Sequence, residues 1–194
     1  MQPLPDEPNL ILAARRGEKD AISALYQAHV DAIYRYMDYR VESAQIAEDL
    51  TAEVFLRMVQ HLPGYQDTGL PFAAWLFRIA ANLLTDHRRR SRRTPQNQLS
   101  EEQASDDTDP FGTIERREEE AQLRKALRTL PEEQQTLLIL RFMQQLPHQE
   151  VAAILNKSEA NIRVMQHRAL QSLAHALGDV AKVRSYMRGN KQHE

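Results

Sequence analysis

The sequence contains no cysteine. That excludes disulfides, thiolate zinc sites, iron–sulfur clusters and cysteine nucleophiles, and it fits a reducing compartment. Glycine is scarce, with 6 residues in 194, and there is a single tryptophan. No apolar run approaches the roughly 20 residues that a membrane span needs. The polar, proline-rich start from Met1 to Asn9 lacks the basic region of a signal peptide. Neither charge sign dominates, the formal net charge being −2. A nucleic-acid site must therefore come from local clustering and not from a global field. The usual enzyme signatures are missing too. There is no glycine-rich phosphate loop, no dinucleotide fingerprint and no zinc-protease helix motif. Asp86-His87 and His148-Gln149-Glu150 put candidate groups side by side. Neighbours along a helix do not face each other, however, and no third ligand accompanies them. These absences argue against an enzyme, a metal centre or a bound cofactor.

What remains is helix-forming sequence. The glycines and prolines cluster and leave clean segments at 18–62, 72–94, 113–130, 132–146 and 148–177. These are too long for strands and rich in Ala, Leu, Glu, Gln and Arg, so the expected fold class is all-α. The first segment is too long for one compact helix. Val41-Glu42-Ser43 is the expected break, with Ser43 capping the next helix. Before it, Ile22, Leu25, His29, Ile33 and Tyr36 repeat every three to four residues. After it, Ala47, Leu50, Val54, Met58 and Leu62 do the same. A third stripe is Phe72, Leu76, Ile79 and Leu83, with Trp75 and Ala80 beside it. Each stripe predicts one buried helix face. Nine of the twelve aromatic residues lie between Tyr26 and Phe77, so this half is expected to have its own core.

Composition then changes. His87 to Arg93 reads HRRRSRR, five arginines in seven residues. Thr94 to Thr113 is almost free of apolar residues. Glu101 to Glu120 carries nine acids against two arginines. Low hydrophobicity and like charge disfavour packing, which predicts a flexible acidic linker. Helical pattern resumes near Ile114. The expected organisation is two small helical domains, 1–90 and 114–178, joined by a linker at 91–113 and followed by a basic tail at 179–194.

Residues 147–175 read PHQEVAAILNKSEANIRVMQHRALQSLAH. A helix-turn-helix needs a small residue at the helix crossing, a turn residue that tolerates positive φ, and apolar anchors on the second helix. Ala152, Asn156 and the pair Ile162 and Met165 meet those needs in turn. Pro147 suits the first turn of the leading helix. Ser158 can cap the second helix, with Glu159 favourably placed in its first turn. Asn161, Arg163, Val164, Gln166, His167 and Arg168 are left on outward or flanking positions. Arginine and glutamine there can address base edges in a major groove. An ordinary helical hairpin with a solvated basic face remains the alternative.

With this motif in place, the chain resembles the extracytoplasmic-function σ factors, the small two-domain group of bacterial RNA polymerase σ subunits. The resemblance runs from about Leu10 to Leu177. IAEDLTAEVFLRM at 46–58 resembles region 2.2, and PFAAWLFRIAANLLTDHRRR at 71–90 resembles regions 2.3–2.4. LRTLPEEQQTLLILRFMQQLPHQEVAAIL at 127–155 resembles region 4 leading into the helix-turn-helix. Asn156 departs from the glycine usual in that turn. The resemblance implies all-helical σ2 and σ4 domains, no catalytic residue and a cytoplasmic protein without membrane attachment. It implies core RNA polymerase and promoter DNA as partners, through the clamp helices of the largest subunit and the flap, and it allows an anti-σ factor.

The resemblance also assigns residues. Glu48, Asp49, Thr51, Glu53 and Arg57, as exposed residues of the 46–58 helix, would contact core polymerase. The loop His61–Leu70, Tyr65 included, would hold an extruded base of the −10 element. Arg78 and Asn82 would face −10 DNA, and Arg88, Arg89 and Arg90 with Arg92 and Arg93 would meet phosphates. Trp75 is expected to be core. Ser158, Asn161, Arg163, Val164, Gln166, His167 and Arg168 would serve the −35 element, and the linker would thread toward the polymerase cleft. Two other readings compete. A conventional helix-turn-helix regulator leaves the words at 46–58 and 71–90 unexplained. A helical protein-binding adaptor leaves the arginine run unexplained.

Overall fold

A computed structural model of the chain describes residues 6–93 and 114–178, with side chains at 6–91 and 118–178. The expected linker from Thr94 to Thr113, the tail from 179, and the side chains of Arg92 and Arg93 lie outside the described residues. The chain divides into two compact units, Met1–Leu99 and Ser100–Glu194. Among the described residues every regular element is helical.

The first unit holds α1 (Glu7–Arg15), α2 (Lys19–Asp38), α3 (Ala44–His61) and α4 (Phe72–Arg93), with a single 3-10 turn at Leu62–Gly64. The break after α2 falls where the sequence placed it. Ser43 is extended, and its Oγ accepts from Ile46 N at 3.3 Å. Such a cap contributes about 1 kcal/mol. α2, α3 and α4 pack against one another, and α1 packs on α2. Leu25, Ile33, Tyr36, Met37, Ala47, Val54, Met58, Leu76, Phe77, Leu83 and Leu84 form the core. Ile22, Leu50 and Ile79, expected on the buried stripes, are half-buried. Tyr36 stands edge-on to Phe77, with ring centroids 5.5 Å apart. From Glu7 the chain is already helical, ahead of the clean segments that begin at residue 18. Pro8 sits in the first turn of α1, where a missing N–H costs nothing, and Ala14 buries against the bundle.

α4 continues to Arg93, so the basic run HRRRSRR is helical throughout and begins no linker at 91. Its end is tied down. Arg88 Nη2 donates to Arg40 O at 3.1 Å, and the buried Arg40 donates Nη1 to Tyr36 Oη at 3.2 Å.

The second unit holds α5 (Ile114–Arg128), α6 (Glu132–Leu138), α7 (His148–Leu155) and α8 (Glu159–Ala176). Gln135 is buried, and its Nε2 donates to Leu130 O at 2.6 Å and Arg128 O at 3.2 Å. It thereby satisfies carbonyls left open at the end of α5. α6 runs on into a π-helical turn at Ile139–Met143, where Gln144 N reaches back to Ile139 O at 3.0 Å. Leu137, Leu138, Ile139, Leu140, Val151, Ile154, Ile162, Ala169 and Leu173 form this unit's core.

Candidate nucleic-acid interface

The helix-turn-helix is built as its residues require. Pro147 is the N-cap of α7, one position earlier than the first turn expected for it. Ala152 is buried at the helix crossing. Asn156 takes the left-handed conformation, φ 54° and ψ 49°. Its N–H bonds Ala153 O at 3.4 Å, and Lys157 N bonds Ala152 O at 2.8 Å. This paired closure ends α7 without glycine. Ser158 then caps α8, its Oγ accepting from Asn161 N at 3.3 Å. Ile162 is fully buried and Met165 half-buried, so they anchor α8 as expected. Lys157 Nζ reaches Glu133 at 3.0 Å and ties the turn to α6.

That anchoring leaves Asn161, Arg163, Val164, His167 and Arg168 exposed on α8. Val164 is 53% exposed, high for an aliphatic side chain. Arg163 lies 3.6 Å from Glu159 one turn earlier, a loose exposed pair that an anion can replace. Arg168 lines an open cleft of about 530 Å³ between α8 and the start of α6, with Pro131, Glu133, Lys157, Asn161 and Val164.

Gln166 does not belong to this outward set. It is half-buried, with Oε1 3.0 Å from His148 Nε2 and 3.4 Å from Arg141 Nε. Arg141 also donates Nη1 to the carbonyl of Leu146, and burial lowers the pKa of its guanidinium. The expectation of an outward Gln166 is corrected because the π-turn brings Arg141 beneath α8, and the carboxamide satisfies that inner partner.

The first unit offers two exposed surfaces. On α4, Arg78 and Asn82 are exposed four residues apart, off the buried stripe as expected. Arg89 and Arg90 are exposed further along, and Arg89 lies 3.3 Å from Asp86. Arg88 is half-buried and committed to the Arg40 carbonyl, so it does not share their exposure. On α3, Glu48 and Asp49 are exposed, while Glu53 and Arg57 are partly so and paired at 2.8 Å. Thr51, expected on this exposed side, is 6% exposed. It faces the bundle and its Oγ1 donates to Ala47 O at 2.7 Å, which removes the need for water. The sequence reading missed the apolar part of this face. Leu56 and Val59 are 53% and 43% exposed. Their place off the Ala47, Val54 and Met58 stripe was the available signal.

Between α3 and α4 lies the loop. Its Tyr65, expected to face DNA, is 8% exposed. The ring stands edge-on to Phe72 at 5.4 Å and to Trp75 at 4.9 Å. It is therefore part of the loop's floor and not of its outer surface. Burial, then the carboxylates of Asp67 and Glu7, raise the pKa of its hydroxyl above 10.0. Trp75 is half-buried in the same cluster. Asp67 Oδ1 accepts from Gly69 N at 2.8 Å, and Gly69 has φ +74°, a conformation that glycine takes without strain.

Among the described residues no cluster of three ligating side chains could hold a metal, and no helix is long and apolar enough to cross a membrane.

Comparison with known proteins agrees with this geometry. The Sigma-70 region 2 family matches residues 25–94, and the Sigma-70, region 4 family matches residues 120–173. The chain is 37% identical to the ECF RNA polymerase sigma factor BldN of Streptomyces coelicolor over 175 residues, which are 89% of this chain and 66% of that protein. It is 33% identical to the ECF RNA polymerase sigma factor SigD of Mycobacterium tuberculosis over 182 residues, which are 89% of this chain and 85% of that protein. Among solved structures, CnrH in complex with the cytosolic domain of CnrY matches with a TM-score of 0.69 at 21% identity, covering 90% of this chain and 98% of that one. At that identity the likeness is one of fold.

Proposed function

The chain belongs to the extracytoplasmic-function σ factors, non-enzymatic subunits that direct transcription initiation, and from that membership we propose how its surfaces divide the work. The first unit binds core RNA polymerase through α3 and takes the −10 element on the loop 61–70 and the outer face of α4. The second unit places α8 in the major groove of the −35 element. The protein works in the cytoplasm, where polymerase and promoter are.

The observation that carries this reading is the exposed face of α8. A correctly closed helix-turn-helix leaves Asn161, Arg163, Val164, His167 and Arg168 free to meet DNA. In the other unit a basic helix exposes Arg78, Asn82, Arg89 and Arg90. Two separate DNA-competent surfaces fit bipartite promoters better than a regulator that uses one helix-turn-helix. The exposed Leu56 and Val59 beside Glu48, Asp49, Glu53 and Arg57 supply an apolar centre with a charged rim, the usual make-up of a protein interface. The end of α4 at Arg93 supports a first domain running slightly past residue 90, with the linker after it.

Run-off transcription with purified core polymerase tests the proposal. Specific initiation is expected only when core and this chain are both present. Specific DNA binding by the chain alone, with no association with core, would instead identify a conventional regulator.

A further inference from the structure

Several elements of the first unit meet around the buried ring of His29. Glu7, the first residue of α1, sets Oε1 3.3 Å from His29 Nε2. The His29 ring is 5.7 Å from Phe72, the residue that starts α4. Phe72 is 5.4 Å from Tyr65 and 5.3 Å from Trp75. α1 also packs against the Leu62–Gly64 turn, where the loop begins. Glu7 is close enough to the loop to help raise the pKa of the Tyr65 hydroxyl.

The loop has little with which to hold its own shape. From His61 to Leu70 only Leu62 and Tyr65 are buried, and Leu70 is half-buried. Its geometry must come from the surface on which those residues stand. Tyr65 stands on Phe72 and Trp75, Phe72 in turn meets His29, and α1 packs on the turn that begins the loop. A site that recognises a base by shape needs its walls held to within about 0.5 Å.

We propose that Glu7 is a positioning residue for −10 recognition: its contact with His29 seats α1 against the Leu62–Gly64 turn and fixes the aromatic floor beneath the loop. The inference rests on the reading of that loop as the −10 base site. Trp75 is the only tryptophan in the chain and sits in this floor, so its fluorescence reports the floor directly.

The test uses the full chain with core polymerase and a promoter library randomised at both elements. Glu7→Ala is expected to weaken the preferred −10 base by about two- to fivefold, the effect of one close polar contact between side chains. The −35 preference should stay intact and the Trp75 emission should shift. Glu7→Gln keeps the side-chain length and an oxygen beside His29 Nε2 and should restore most of both. A purely structural role would lower thermal stability without separating −10 from −35 preference. Asp67→Ala, which removes the 2.8 Å bond inside the loop, is the control. If Asp67→Ala changes −10 preference and Glu7→Ala does not, the positioning role is wrong and the loop reading stands. If neither changes it, the loop reading fails and the positioning role fails with it.

Discussion

Gln166 of α8 and His148 of α7 face each other across the helix-turn-helix, Oε1 lying 3.0 Å from Nε2. Arg141 approaches the same oxygen from the π-helical turn, with Nε at 3.4 Å. One carboxamide thus joins the end of one helix, the start of the second and the middle of the third. A residue flanked in sequence by Met165 and His167 acts as a strut under the DNA-facing surface and not as part of it.

Replacing Gln166 by Ala should therefore cost stability and not sequence preference. Loss of a partly buried hydrogen-bonding hub is worth about 1 kcal/mol. Calorimetry should show the second unit melting about 4–8 °C lower, the shift expected for a domain of this size. The −35 base preference, measured on a promoter library below that melting point, should match the parent. A relaxed preference at one −35 position would return Gln166 to the base-reading set.

What the sequence revealed, and what it hid, divides by the range of the interaction. The Ser43 and Ser158 caps, the left-handed Asn156 and the outward Arg78 and Asn82 depend on residues within one turn, and each was legible. Thr51, Tyr65, Arg88 and Gln166 were read as outward, and each is turned inward by a partner or packing surface that periodicity does not reveal. Arg88 answers to the Arg40 carbonyl 48 residues away, and Gln166 to Arg141 at 25. At Arg88 and Gln166 polar residue type argued for the surface and long-range hydrogen bonding overrode it, whereas Tyr65 is held by ring packing and Thr51 by the Ala47 carbonyl one turn back. α1 was hidden for another reason. Pro8 counted as a breaker, although a proline in the first turn is compatible with helix.

The turn of the helix-turn-helix should accept glycine. Asn tolerates the left-handed region better than most residues, but it still pays for its Cβ. Asn156→Gly is expected to leave DNA binding unchanged and to hold or raise stability by up to about 1 kcal/mol, whereas Asn156→Ala should lose about 1–2 kcal/mol. Thermal unfolding of the three proteins side by side decides this. Equal stability of the Gly and Ala variants would mean that the φ of 54° carries no strain.

The α3 surface separates charge from burial. Charge reversal at Asp49 and Glu53 should weaken core-polymerase binding without reducing helical content. Glu53 also loses its Arg57 partner, a pair worth about 0.3–0.5 kcal/mol. Leu56→Asp should weaken binding further by placing a carboxylate in the apolar centre of the face. Thr51→Val should leave binding at its parent level, because the Thr51 hydroxyl bonds the helix backbone. Pull-down of each variant with core polymerase tests all three. Strong loss from Thr51→Val with none from Leu56→Asp would place the interface elsewhere.

Tyr65 makes the first unit sensitive to alkali in a predictable direction. Its folded pKa lies above the ordinary 10.0, chiefly through burial and then through Asp67 and Glu7. Above about pH 10 the unfolded chain releases a phenol proton that the folded chain keeps. The folded state then binds more protons, so stability falls as pH rises through this range. Tyr65→Phe cannot release that proton, so its stability should fall less steeply as pH rises above about 10. Urea unfolding followed by Trp75 fluorescence measures both slopes. A variant slope as steep as the parent's would show that the hydroxyl does not contribute.

The last expectation concerns which α8 residues read sequence and which grip the backbone. Arg163 and Arg168 are five residues apart, about 500° of rotation or 140° net, at 3.6 residues per turn. They cannot both point straight into one groove. His167 follows Arg163 by four, so those two share a face, and both are exposed. Arg163 also lies near the N-terminus of α8, the end that such motifs insert. Arg168 instead opens on the cleft toward α6, on the flank of the helix, where a phosphate strand would pass. Arg163→Ala should therefore cost about 1–3 kcal/mol and relax preference at one −35 position. Arg168→Ala should weaken binding evenly across sequences and reduce the salt slope by about one unit. Binding of both variants to a promoter library at several salt concentrations separates the roles. Altered base preference for Arg168→Ala, with none for Arg163→Ala, would reverse the assignment.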